Sequence, residues 1–186
     1  GKVEKKDIRT SPVYCLSHGD LHGKNILVPK RGYRFKLIDP ANCSPQHWAS
    51  DLARFCIDQI MSLWDDLPYF DENNFDATNA HEWQNFTQWR DLVHAFVTWQ
   101  ALDRFIPQPP TSPNLGVIAV LQWCHTNLKT LHGDLVGDIL PGWQFQLALA
   151  VELMRSASLE DLPTPKRVLG LVCAYDTLRI CERSLT

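Results

Sequence analysis

The tightest constraint on this chain is the run His18-Gly19-Asp20-Leu21-His22-Gly23-Lys24-Asn25-Ile26-Leu27-Val28, followed by Leu37-Ile38-Asp39. An aspartate, an asparagine five residues on and a second aspartate fourteen residues after that each adjoin a short apolar run of strand character. Such runs read as short strands that hold each polar residue in place. The Asp20–Asn25 spacing lets both side chains enter one cleft from a tight loop, and Asp39 can reach it from the end of the neighbouring strand.

The surrounding pattern gives the frame. Residues 1–12 are polar, end in Ser11-Pro12 and read as a linker or tail; residues 13–186 read as one folded unit, with residues 13–55 holding the motif and residues 56–186 a helical subdomain. Ile26–Pro29 and Tyr33–Ile38 predict two short strands joined by a Lys30-Arg31-Gly32 turn. From Pro45 the apolar period lengthens to about 3.6, with Trp48, Leu52, Phe55, Ile60 and Leu63 as the stripe and Ser44-Pro45 as the expected helix start. Residues 65–82 are acidic and aperiodic and read as a loop. A second helix is expected from about Trp83 to Phe105, buried through Phe86, Val93, Phe96 and Val97 and ended by Pro107–Pro113. Three more helices are expected at about 114–131, 143–157 and 165–184, the last burying Val168, Leu171, Val172, Tyr175 and Leu178. The fold class is therefore α+β: mostly helical, with a small β-hairpin carrying the polar loop. The echo His132-Gly133-Asp134-Leu135 has Ile139 where the first motif has Asn25, and reads as a loop.

Composition narrows the setting. The 45% apolar residues and 19 aromatics argue against a disordered chain. Residues 1–36 carry nine Lys or Arg against three Asp or Glu, whereas the remainder carries nine against eighteen. A solvated N-terminal tail (Lys2, Lys5, Lys6) supplies part of that positive end. The six cysteines show no CxxC or Cys/His ligand spacing and read as reduced, which points to the cytoplasm. No apolar run approaches the roughly 20 residues of a membrane span, and neither a membrane nor nucleic acid is an expected partner.

The order of the motif residues is the one phosphoryl transfer would need, a chemistry that asks for alignment and charge neutralisation more than for covalent help. Asp20 would accept a hydrogen bond from an attacking hydroxyl and take its proton late. Asn25 and Asp39 would offer hard oxygen ligands to Mg²⁺, which keeps several of its waters. His22 or Lys24 would contact the transferred phosphate, or else remain solvated loop side chains. Gly19 and Gly23 supply backbone freedom, and His18 is read as a structural residue that bonds to backbone. Asp51, opening Asp51-Leu52-Ala53, either caps its own helix or reaches back to the loop amides; the sequence leaves both open.

Taken together, His18 through Asn25, Leu37-Ile38-Asp39 and Asp51-Leu52-Ala53 resemble the catalytic segment of the aminoglycoside phosphotransferase and choline kinase superfamily. The resemblance covers about residues 13–55 and implies a protein-kinase-like fold with ATP and Mg²⁺. It implies Asp20 as catalytic base, Asn25 and Asp39 as metal ligands, and Asp51 as a brace for the loop. Gly19 stands where a protein kinase carries Arg, and Pro40-Ala41 stand where it carries Phe-Gly, so the expected acceptor is a small molecule. Cationic acceptors fit the acidic residues 65–82, although a solubilising loop is the preferred reading of that stretch. Only 17 residues precede His18, so this chain is expected to be the C-terminal lobe, with a nucleotide-binding N-terminal lobe or other domains of a larger protein as its partner. The alternative is a non-catalytic kinase-like module that senses nucleotide or scaffolds.

Overall fold

The computed structural model describes residues 13–30, 34–40, 42–65, 80–98, 100, 119–124, 126–127 and 143–185. The order is β1 (Tyr14–Ser17), a 3₁₀ turn (Gly23–Asn25), β2 (Ile26–Leu27), β3 (Lys36–Leu37), β4 (Ser44–His47), α1 (Ser50–Asp65), α2 (Ala80–Val97), α3 (Trp143–Ser158) and α4 (Thr164–Leu185). Residues 119–124 and 126–127 are also helical. The protein is α+β and mostly helical, with two small antiparallel sheets.

One sheet is the expected hairpin, β2 against β3, with Ile26 opposite Leu37 and Leu27 opposite Lys36. The other was not foreseen: β1 pairs with β4, so that Leu16 faces Pro45 and Ser17 faces Ser44. Ser44-Pro45 is thus a strand rather than a helix start. Proline removes one ladder donor, which a two-stranded ribbon tolerates because each strand keeps an edge that pairs with nothing in the sheet. The ribbon delivers the chain to Trp48, whose N–H donates to the Val13 carbonyl at 3.0 Å, and helix α1 begins two residues later.

Helix α1 has two faces. Ala49, just before it, and Ala53, Cys56, Ile57 and Ile60 on it are fully or almost fully buried, the spacing of one helical stripe. They meet Phe86, Trp89, Val93 and Phe96 of α2, Phe145, Leu149 and Leu153 of α3, and Leu169 and Cys173 of α4 in one core. Phe145 sits at its centre, stacked on Trp48 with centroids 6.4 Å apart and edge-on to Phe96 at 6.1 Å. Helix α2 starts at Ala80 and ends at Val97, earlier at both ends than expected. The chain then turns through Thr98, whose N–H donates to the His94 carbonyl. The buried Gln146 amide donates to the Val97 carbonyl at 3.1 Å and ties α3 to that helix end.

Helices α3 and α4 form a hairpin through residues 159–163. Arg167 Nε donates to the Ala157 carbonyl at 3.0 Å, satisfying an acceptor that the end of α3 would leave unpaired. At the crossing, a Cβ on Gly170 would lie 2.9 Å from the Leu153 carbonyl oxygen. This close approach corrects the expected stripe of α4. Val168, Leu171, Tyr175 and Leu178 are exposed, and the buried face is Leu169, Gly170, Cys173, Ala174, Thr177 and Cys181. Small residues let the backbones approach, and the buried Thr177 hydroxyl is satisfied by the Cys173 carbonyl at 2.7 Å. The tail at 1–12, the Arg31-Gly32 turn, the 66–79 stretch, the Pro107–Pro113 segment and the His132–Leu135 echo lie outside the described residues. No described helix is long and apolar enough to cross a membrane.

Candidate catalytic site

The polar face of α1 holds the loop. Asp51, in the helix's first turn, accepts the His18 N–H on Oδ2 at 2.5 Å and the Gly19 N–H on Oδ1 at 2.9 Å. One turn on, Arg54 Nη2 lies 3.3 Å from Asp20 Oδ1. A further turn on, Asp58 Oδ2 accepts the Gly23 N–H at 2.7 Å. Residues 51, 54 and 58 follow helical spacing, so a single stripe grips the loop from residue 18 to residue 23. Of the two roles open to Asp51, the geometry displays the reach back to the loop. Hydrogen bonds to an ionised carboxylate are about twice as strong as neutral ones.

The second strand is fastened to the same loop. The His18 ring is buried, and its Nε2–H donates to the Ile38 carbonyl at 2.7 Å, which fixes the tautomer. The Ile38 N–H in turn donates to the Asn25 carbonyl at 3.0 Å, and the Asn25 amide Nδ2 donates to the Asp20 carbonyl at 3.0 Å. Asp20, Asn25 and Asp39 are thereby linked through three successive backbone attachments. Among the described residues, Gly19 at φ +82 and Asp39 at φ +59 adopt the left-handed region. At Gly19 a Cβ would fall 2.3 Å from the Asn42 carbonyl oxygen, so any side chain is excluded, the Arg of protein kinases included. A non-glycine residue at positive φ is costly and is held only where its surroundings over-determine it.

Around Asp20 the charges are matched. Oδ1 faces Arg54 at 3.3 Å and Arg155 Nη2 at 3.8 Å, and Oδ2 faces His22 Nε2 at 3.6 Å. Both guanidiniums also meet Glu152 Oε2 of α3, Arg54 at 3.7 Å and Arg155 at 3.6 Å. Burial raises the pKa of the Glu152 carboxyl; Arg155 and Arg54 oppose that shift, and Asp20 adds to it. Lys24 is exposed at the end of the 3₁₀ turn and Asp39 is exposed after β3.

The donor set suits magnesium. Asn25 is buried with its NH₂ already committed to Asp20, so its amide oxygen is the atom left to serve as a ligand. Among the described residues no group of three or more His, Cys, Asp or Glu could enclose a metal. An ion held by Asn25 and Asp39 would complete its shell with water and phosphate oxygens, the usual arrangement for Mg²⁺.

Sequence reasoning missed four participants. Arg54 and Asp58 carried a signal, because they lie at positions i+3 and i+7 from Asp51 on a predicted helix. Glu152 and Arg155 carried none, being more than a hundred residues from the loop and brought there only by the packing of α3 on α1. No protein-family description, curated protein or solved structure matches this chain.

Proposed function

We propose that the protein is an ATP- and Mg²⁺-dependent phosphotransferase acting on a small-molecule hydroxyl. In this reading it is of the aminoglycoside phosphotransferase and choline kinase type, and these residues form its C-terminal lobe. The observation that carries the proposal is the grip of Asp51, Arg54 and Asp58 on residues 18–23, together with the bonds from the Asn25 side-chain amide to the Asp20 main-chain carbonyl and from the Ile38 N–H to the Asn25 carbonyl. Asp20 is the catalytic base, orienting the acceptor hydroxyl and receiving its proton. Asn25 and Asp39 hold Mg²⁺, which when bound would neutralise phosphate charge. His22, beside Asp20, and Lys24 contact the transferred phosphate. His18, Gly19 and Asp51 keep the loop in shape. Cytoplasmic placement belongs to the same proposal and is supported by six free thiols.

Asp20→Ala is the deciding variant. Phosphate transfer from ATP by the intact protein should fall by about 10²-fold or more, the range for removal of a positioned base. Equal rates in the two proteins would end the reading. One observation favours the second reading, a non-catalytic nucleotide-sensing or scaffolding module: the two guanidiniums beside the Asp20 carboxylate could hold it out of use. Calorimetric titration separates the two, since magnesium-dependent nucleotide binding without turnover belongs to the module alone.

A further inference from the structure

The hairpin of α3 and α4 has a second apolar face, turned away from the core. On α3 it consists of Leu147, Val151 and Met154, and on α4 of Val168, Leu171, Tyr175 and Leu178, each between 36% and 59% exposed. The crossing sets how the two stripes lie. Gly170 meets the Leu153 carbonyl on one side and Ala157 on the other, so the antiparallel register brings Met154 level with Leu171 and Leu147 level with Leu178. Each stripe stands about a quarter turn from the crossing, on the side opposite the buried residues that meet α1 and α2. The two stripes therefore form one continuous surface.

That surface exposes on the order of 600 Å² of apolar side chain, the upper end of what monomers show. Its α4 stripe is spaced three, four and three residues apart, the a/d seam along which helices pack knobs into holes. The arginines that border it are turned to partners within the chain. Arg155 meets Asp20 and Glu152, Arg167 donates to the Ala157 carbonyl, and Arg179 holds the Tyr175 hydroxyl and Glu182. An amphipathic face that lies on anionic lipid is flanked instead by basic side chains free to reach the headgroups.

A second copy of the chain meets these requirements. Two such hairpins set face to face about a two-fold axis complete a four-helix bundle, and symmetry makes the two surfaces complementary to each other. With its rim, each copy would bury about 800 Å², the share of one partner in a standard interface. A net charge of −3 per chain adds little repulsion between copies.

We infer that the chain forms a homodimer through this face, with α3 and α4 of one copy packed on α3 and α4 of the other. The inference does not rest on the phosphotransferase reading.

Sedimentation velocity on this chain, over loading concentrations from about 1 to 100 µM, covers the weak end of interfaces this size and should show a concentration-dependent dimer. Leu171→Glu and Tyr175→Glu each put a desolvated charge from both copies into the seam, and each should weaken the dimer by about 100-fold or more. Both replaced side chains are more than half exposed, so the far-ultraviolet circular dichroism of the variants should match that of the unaltered chain. Trp123→Glu places the same charge on an exposed apolar residue outside the hairpin and should leave the dimer intact. A chain that stays monomeric at the highest loading overturns the inference. So does a dimer that survives both hairpin variants, or one that Trp123→Glu also breaks. Flotation with phosphatidylcholine–phosphatidylserine vesicles is the remaining arm: a monomer that floats, and that Leu171→Glu releases, would give the face to a lipid surface and remove the homodimer.

Discussion

The loop region and the helical hairpin of α3 and α4 are built on opposite principles. From residue 18 to residue 39 the backbone is positioned by polar side chains: Asp51, Asp58, His18 and Asn25 each bond to a main-chain group. Much of the apolar surface there is exposed, Leu27, Val28, Phe35 and Leu37 included. In the hairpin the order is reversed. Phe145, Leu149, Leu153 and Leu169 are almost fully buried, and the buried hydroxyls of Ser156 and Thr177 are satisfied within their own helices. Apolar packing is non-directional and scales with area, whereas hydrogen bonds to a carboxylate fix direction. The molecule places bulk stability in one region and geometric definition in the other.

That contrast can be broken from either side. Phe145→Ala should have the largest effect on stability, about 3–5 kcal/mol for a buried aromatic, read as a lower urea midpoint. The folded fraction should keep the protected His18 and Gly19 amides. Asp51→Ala should cost less, about 2–3 kcal/mol, since it strands two amide donors that lost a charged acceptor. Its signature is local: those two amides should exchange with solvent much faster while amides of α3 keep their protection. If both sets accelerate together, the two regions are not separable.

The smallest expected effect concerns Glu152, which stands where the regions meet. Its folded-state pKa is raised, so between the ordinary carboxylate value and the raised value the native state binds more protons than the unfolded chain. Stability from this group therefore falls as pH rises through that window. Glu152→Gln should flatten that part of the urea midpoint against pH, and a slope identical to that of the unaltered protein would show that another group sets it. The thiols report the same division. Cys15 and Cys43 of the ribbon region are exposed and should alkylate first, while Cys56, Cys124, Cys173 and Cys181 are buried. Burial pushes Cys173 up to about 12, so little reactive thiolate forms there.

The two regions also differed in how far they could be read from residues alone. The β2–β3 hairpin was legible because alternating apolar runs flank a turn, and the motif because its chemistry restricts residue types at fixed spacing. The β1–β4 ribbon was not, since Ser44-Pro45 is also a good helix start and only the presence of Tyr14–Ser17 alongside decides the matter. On α4, Val168, Leu171, Tyr175 and Leu178 make a regular stripe that nonetheless faces outward. Hydrophobicity identified what is apolar, but the packing of α4 on α3 selects what is small, and Gly170 against the Leu153 carbonyl fixes the rotation. The Glu152–Arg155 pair could not be seen at all, because its meeting with Asp20 follows from a tertiary contact rather than from any local pattern.

The reach of Asp51 also carries a statement about time. Its bond to His18 spans 33 residues of chain, and closing a flexible segment of that length costs about 3 kcal/mol. Two charge-assisted bonds offset that cost only once α1 exists to hold the carboxylate still. Helix α1 must therefore form before the loop closes, and residues 18–23 should be the last part of the chain to become native on refolding. The loop should also be the first to open when the folded protein fluctuates, and can do so while the helices remain intact.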